Sequence, residues 1–95
     1  MKPAFRRGLR SLDPVQAAQL RSSLRAFVAD LREIEEGHLD WFRPGLRVKK
    51  VVGASDVYEM SWAPNGRATF AWGSEQIYGK RHVVWLQVGG HEILP

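Results

Sequence analysis

The sequence predicts a single α+β domain in which an N-terminal helical hairpin packs on one face of a roughly four-stranded antiparallel sheet. Three observations predict it. Apolar residues recur with the 3.6 period of a helix through about residues 3–37. The period falls to two from about residue 46 to 94. Between two of the alternating runs lies Ala63-Pro64-Asn65-Gly66, which is turn chemistry and predicts a tight hairpin through positive φ at Asn-Gly.

The helices come first. Phe5, Leu9 and Leu12 stand at i, i+4 and i+7, one short apolar stripe. Asp13-Pro14 is a helix start: the carboxylate accepts orphan N–H groups, and proline has no N–H to leave unpaired. Leu20, Leu24, Phe27, Val28, Leu31 and Ile34 continue the stripe over four turns, and Gly37 is placed to cap the helix end, with His38 beside it. Glu33, Glu35 and Glu36 form a solvated acidic patch there. Trp41, Phe42, Pro44 and Gly45 are a linker whose aromatic pair is expected to plug the end of the core.

The strands follow. Leu46–Val52 sets Leu46 and Val48 against Arg47 and Lys49. Val57–Trp62 sets Tyr58, Met60 and Trp62 against Glu59 and Ser61, and residues 67–72 set Ala68, Phe70 and Trp72 against Arg67 and Thr69. Ser74–Lys80 reads as a polar loop containing Gly79. In the last run His82, Val84, Leu86 and Val88 are assigned to the core and Arg81, Val83, Trp85 and Gln87 to the open face, before Gly89-Gly90 and a short tail.

Composition narrows the function classes. Ninety-five residues make one domain, 1–95, with one core. The absence of cysteine excludes a disulfide framework, a thiolate metal site and a cysteine nucleophile. No apolar run approaches the ~20 residues of a membrane span, and the basic N-terminus lacks a signal-peptide core, so the chain reads as cytoplasmic. The net charge of +4 favours polyanions. Residues 1–40 nearly balance, seven Lys/Arg against six Asp/Glu; residues 41–95 carry seven against four, so the excess belongs to the sheet.

Alternation gathers Arg47, Lys49, Glu59, Ser61, Arg67, Thr69, Arg81, Trp85 and Gln87 on the face opposite the helices. Arginine grips phosphate with a planar fork, lysine acts as a point charge, and tryptophan stacks an unpaired base, so this is a set that RNA binding can use. A solvated face with a cross-strand Glu59–Arg67 pair would show the same pattern. His91, after the double glycine, is placed to act as a general acid or to be a plain exposed terminal residue. His82 reads as a core residue. The three histidines show no metal-ligand spacing, and no phosphate-binding glycine loop or nucleophile elbow is present.

The order "LRVKKVVGASDVYEMSW", "NGRATFAW", "RHVVWLQVGGHEI" after a helical hairpin resembles the RelE/ParE superfamily of type II toxins, over roughly residues 3–94. The resemblance implies a RelE-like fold and a metal-independent, ribosome-dependent mRNA endoribonuclease without cofactor, neutralised by a cognate antitoxin. In such enzymes a 2′-hydroxyl attacks the adjacent phosphate and leaves a 2′,3′-cyclic phosphate. By that resemblance Arg47 and Lys49 hold phosphate, Lys49 or Glu59 takes the 2′ proton, Arg67 is the transition-state arginine and His91 the acid. Lys50, Arg81, Trp85 and Gln87 would complete the RNA-binding surface. The family's first strand is missing or reduced to Met1–Phe5, so either the sheet lacks an edge strand or the chain as given starts downstream of its true start. Ile93 and Leu94 stand where several members place a catalytic tyrosine, which moves the acid step to His91. A ParE-like gyrase poison and a non-catalytic binding domain of the same fold are the alternatives.

Overall fold

The computed structural model describes the backbone of residues 1–77 and 80–95, with the side chains of 1–74 and 82–95. Helix α1 (Pro3–Arg10) and helix α2 (Pro14–Glu35) precede strands β1 (Lys49–Lys50), β2 (Tyr58–Ala63), β3 (Gly66–Ile77) and β4 (Lys80–Gly89). The strands form one antiparallel sheet in the order β1-β2-β3-β4. Both helices lie on the same face, α1 against β4 and α2 against β2. This is the α+β arrangement the periodicities predict.

Helix ends follow local chemistry. The Asp13 side chain accepts from the Gln16 N–H at 2.8 Å while Gln16 Oε1 accepts from the Asp13 N–H at 3.0 Å, a reciprocal capping box with Pro14 in the first turn. At the other end Gly37 takes φ +82°, its N–H bonds to the Ile34 carbonyl, and the His38 N–H reaches back to Glu33 at 2.8 Å. That is a Schellman closure, and it needs a residue without Cβ strain at position 37.

Phe5, Leu20, Phe27, Phe42, Leu46, Val48, Met60, Trp62, Ala68, Phe70 and Val88 form the core. Val28, assigned to the stripe, is 46% exposed: it stands one residue past Phe27, which takes the inward position. On the inward side, beside Leu20 and Phe27, the helix also buries an acid, Asp30, at 4% exposure. Its carboxylate accepts from the Arg43 backbone N–H (2.9 Å), Nε (2.8 Å) and Nη2 (2.8 Å), and so clamps the linker to α2. Of the linker aromatics only Phe42 is buried, stacked on Phe27 at 4.5 Å. Trp41 stays 41% exposed, with its indole N–H donating to the Val48 carbonyl.

Four strand assignments need correction. Leu46–Val52 is not one strand: Pro44–Leu46 is a 3₁₀ turn, Arg47 adopts left-handed φ +50°, and only Lys49–Lys50 pairs with β2. The turn after β2 does not use positive φ, because Pro64 fixes its first central residue near φ −65°. Gly66 is needed for closeness instead, since a Cβ there would stand 2.5 Å from the Trp62 indole. The polar loop at Ser74–Lys80 is mostly sheet, since β3 runs to Ile77 and β4 begins at Lys80; Gly79 lies outside the described residues.

The fourth correction concerns faces. Thr69 pairs with Gln87 but Phe70 pairs with Trp85, so Leu86 is an extra, bulged residue in β4. The bulge inverts parity below it. Trp85 and Val83 pack against the core, while Leu86, Val84 and His82 turn to the other face, and His82 is exposed rather than a core residue.

Helix α1 meets β4 backbone to backbone. A Cβ on Gly8 would stand 2.2 Å from the Val88 carbonyl oxygen. Gly8→Ala is therefore expected to lower stability by about 1–3 kcal/mol through overpacking, although alanine favours a helix by about 1 kcal/mol. Gly45→Ala, where a Cβ meets nothing within 4 Å, serves as the neutral control. Urea unfolding of the two variants measures the difference.

The Arg43 side chain, bonded to Asp30, holds that carboxyl below its ordinary value of 3.8, against the opposing effect of burial. The unfolded chain then binds the proton more readily than the folded one. The clamp's contribution is full above the unfolded value and is lost as pH falls through the lower folded value. Unfolding free energy measured from pH 6 down to pH 2 should fall less steeply in Asp30→Asn than in the native chain.

Candidate functional site on the outer sheet face

The sheet face away from the helices carries two cross-strand rows. Lys49, Glu59, Thr69 and Gln87 pair in one; Ser61, Arg67 and Gly89 pair in the next. Register therefore brings Lys49, Glu59 and Arg67 together from three adjacent strands. One Glu59 carboxylate oxygen, Oε1, lies 3.9 Å from Lys49 Nζ and 3.9 Å from Arg67 Nε. These are ion-pair distances, too long for hydrogen bonds.

The face is not the open solvated surface the alternation suggests. Glu59, Arg67 and Thr69 are all buried, the most exposed of them, Arg67, at 8%. The segment between β1 and β2 folds back, closed by the Val51 N–H on the Val57 carbonyl at 2.8 Å. After β4, His91–Ile93 forms a 3₁₀ turn. Val51, Val57, Leu86, Ile93 and Pro95 surround Thr69 in an apolar groove, so two irregular segments roof the middle of the sheet. Lys49 alone of the three charged groups reaches solvent, its side chain 62% exposed.

Arg67 has a structural duty. Its Nη1 donates to the carbonyls of Gly66 (2.8 Å), Ala63 (3.3 Å) and Pro64 (3.3 Å), which ties the β2–β3 turn together. Its Nε, buried, has no acceptor.

The other expected site residues divide. Arg47 precedes β1 and lines a pocket with Ser61 and Arg67 at the edge of β2. Gln87 is exposed on the outer face, beside Thr69. Lys50 pairs with Tyr58, whose ring stacks on Phe70, and so lies on the helix side of the sheet. Trp85 is no stacking platform for a base: its ring contacts Phe5, Phe27 and Phe70, because the Leu86 bulge turns it inward. The Arg81 side chain lies outside the described residues.

His91 is exposed at the end of β4, its backbone N–H 3.5 Å from Asn65 Oδ1. Among the described residues no hydrogen bond or ion pair joins its ring to Lys49, Glu59 or Arg67. The neighbouring Glu92 carboxylate is held below the usual range, first by the Gly90 N–H at 2.9 Å, which anchors the tail. Glu33, Glu36 and His38 form an exposed cluster at the end of α2, with His38 Nδ1 2.9 Å from Glu33 and 3.6 Å from Glu36.

Two groups escaped the sequence reading. Asp30 stands on the buried side of α2 three residues after Phe27, and an acid there signals a buried partner. Ser23, near Arg47 and Ser61, had no such signal. Among the described residues, no helix is long and apolar enough to cross a membrane. Compared with protein-family models, characterised proteins and solved structures, the chain finds no significant match in any of the three.

Because Arg67 binds the turn and faces Glu59, Arg67→Met is expected to lower stability by about 1.5–3 kcal/mol. Lys49→Met, at an exposed position, should change it by no more than about 0.5 kcal/mol. Chemical denaturation of both variants tests the split.

Proposed function

We propose that this chain is a RelE-like toxin of a type II toxin–antitoxin system that cuts mRNA on the ribosome. The observation that carries the reading is the placing of Glu59 between Lys49 and Arg67 on one sheet face. Cleavage by an internal 2′-hydroxyl needs a base, cations for the extra charge on phosphorus, and an acid for the departing 5′-oxygen. Side chains suffice for all three.

In this reading Glu59 takes the 2′ proton, or Lys49 does so in its neutral form. Arg67 and Lys49 offset the charge that builds on the non-bridging oxygens. His91, at the margin of the same face, protonates the 5′-oxygen, and the products are a 2′,3′-cyclic phosphate and a 5′-hydroxyl. Substrate enters from the side of Lys49 and Arg47, where the face is exposed. A cognate antitoxin would silence the protein by covering this margin or by docking on α2, where Val15 and Val28 are exposed.

A second reading has its own support. The three carbonyls on Arg67 Nη1, and the lack, among the described residues, of a hydrogen bond or ion pair from the His91 ring to the charged row, favour a non-catalytic binding domain of the same architecture. Expression in a bacterial host separates the readings. The native chain should arrest growth and leave mRNA fragments with cyclic phosphate ends. Glu59→Gln and Lys49→Ala, with unchanged circular dichroism, should each slow cleavage by roughly 10²–10⁴-fold. No arrest and no cleavage by the native chain sinks the nuclease reading, and DNA breaks without mRNA cleavage would point to a gyrase poison.

A further inference from the structure

We infer that the cleft where the helical hairpin meets the β2–β3 turn and the tail after β4 is a binding site for a guanine base. Ser11 and Gln16 from the helices, Asn65 from the turn and Glu92 from the tail line it, together with the apolar Leu12 and Trp62. The cavity measures about 380 Å³, within the range of small-molecule sites. Among the described residues no lysine, arginine or histidine lines it. The cleft therefore fits a neutral ring rather than a phosphate, and it shares none of these residues with the charged row around Glu59.

The polar groups reach solvent, and bonds already made set what each one presents. Ser11, Gln16, Asn65 and Glu92 are all exposed. Gln16 Oε1 is taken by the Asp13 N–H at 3.0 Å, so the amide offers its NH₂ end. Asn65 Oδ1 lies 3.5 Å from the His91 backbone nitrogen, which leaves Nδ2 to donate. Beside these donors stands a carboxylate. Glu92 Oε1 accepts from the Gly90 N–H at 2.9 Å, which fixes the side chain and leaves acceptor capacity on both oxygens. Gly90 lets the two kinds of group converge, because a Cβ there would run into both Glu92 Oε2 and Asn65 Nδ2.

A carboxylate beside amide donors discriminates among planar rings. It calls for two adjacent N–H groups on one edge of the ligand and acceptors on the next. Of the common bases guanine alone has both: N1–H with the 2-amino group for the carboxylate, and O6 with N7 for the amides. Adenine and cytosine would set a ring-nitrogen acceptor against the carboxylate beside their one amino group, and uracil would flank its single N–H with carbonyls.

Only the placing of this base within an mRNA rests on the nuclease reading; the site itself does not. His91 stands between Gly90 and Glu92 in the chain, so in that reading the guanine lies beside the proposed acid. The full chain is titrated with 5′-GMP, 5′-IMP, 5′-AMP and 5′-CMP at constant ionic strength, and side-chain amide and backbone N–H resonances are followed. The phosphate is common to all four, so a difference reports the base. GMP should saturate shifts at Asn65, Gln16 and Gly90, and IMP, without the 2-amino group, should bind about tenfold more weakly. Glu92→Gln keeps the shape and an acceptor for Gly90, and should raise the Kd for GMP by about tenfold or more and abolish the preference over IMP, with circular dichroism unchanged. Asn65→Asp, which sets acceptor against acceptor, should weaken GMP as well. AMP or CMP saturating the same resonances as tightly as GMP, GMP shifts that never saturate, or unaltered GMP binding by Glu92→Gln overturns the site. Cleavage is read separately on Glu59→Gln, so a chain that binds GMP and cuts no RNA keeps this site and loses the nuclease reading.

Discussion

Phe70 is the point on which the fold turns. It is fully buried at the centre of β3, and its ring meets Phe27 of α2 at 5.1 Å, Tyr58 of β2 at 5.6 Å, Trp72 at 5.4 Å and Trp85 of β4 at 5.3 Å. Each such pair adds about 0.5–1.5 kcal/mol beyond its buried area. The Leu86 bulge is what turns Trp85 toward this ring. The cluster ties the long helix to three strands, and the position of every charged group on the far face follows from the register it fixes.

That far face is unusual in holding charge under cover. Glu59 and Arg67 are nearly as buried as the aromatic rings behind them, with Val51, Ile93 and Pro95 roofing the neighbouring Thr69. Desolvating an ion pair rarely adds net stability, but leaving one partner alone is severe, so neither Glu59 nor Arg67 can be removed cheaply. Arg67 serves three structures at once: the turn carbonyls, the Glu59 carboxylate and the wall of the pocket at the β2 edge. A side chain with planar, divergent donors can do this; lysine could not.

Much of this was legible in order. Asp13-Pro14 and Gly37 mark the limits of α2, and the alternation through Tyr58–Trp62 and Ala68–Trp72 identifies the core face correctly. The convergence of Lys49, Glu59 and Arg67 was legible too, because strand neighbours joined by short connections share a face. The last strand was not. Residues 83–86, Val-Val-Trp-Leu, are apolar on both parities, and no local signal says which of them becomes the bulge; partner packing decides it. The roof was hidden for a similar reason. Val51 and Ile93 stand in short irregular segments without a period, so their burial depends on where the chain folds back. Arg47 reads as strand because apolar and charged residues alternate around it, yet the turn begun by Pro44-Gly45 sets it left-handed.

The contact of α1 with β4 joins the two ends of the chain, fixed by the Lys2 N–H on the Trp85 carbonyl at 2.9 Å and by the bare backbone at Gly8. During synthesis the N-terminal helix leaves the ribosome long before the strand it rests on. It must wait, with Phe5 unsheltered, until β4 has emerged. Docking of α1 is thus a late step in building the domain, and the nascent chain carries an unsatisfied apolar segment until β4 is available.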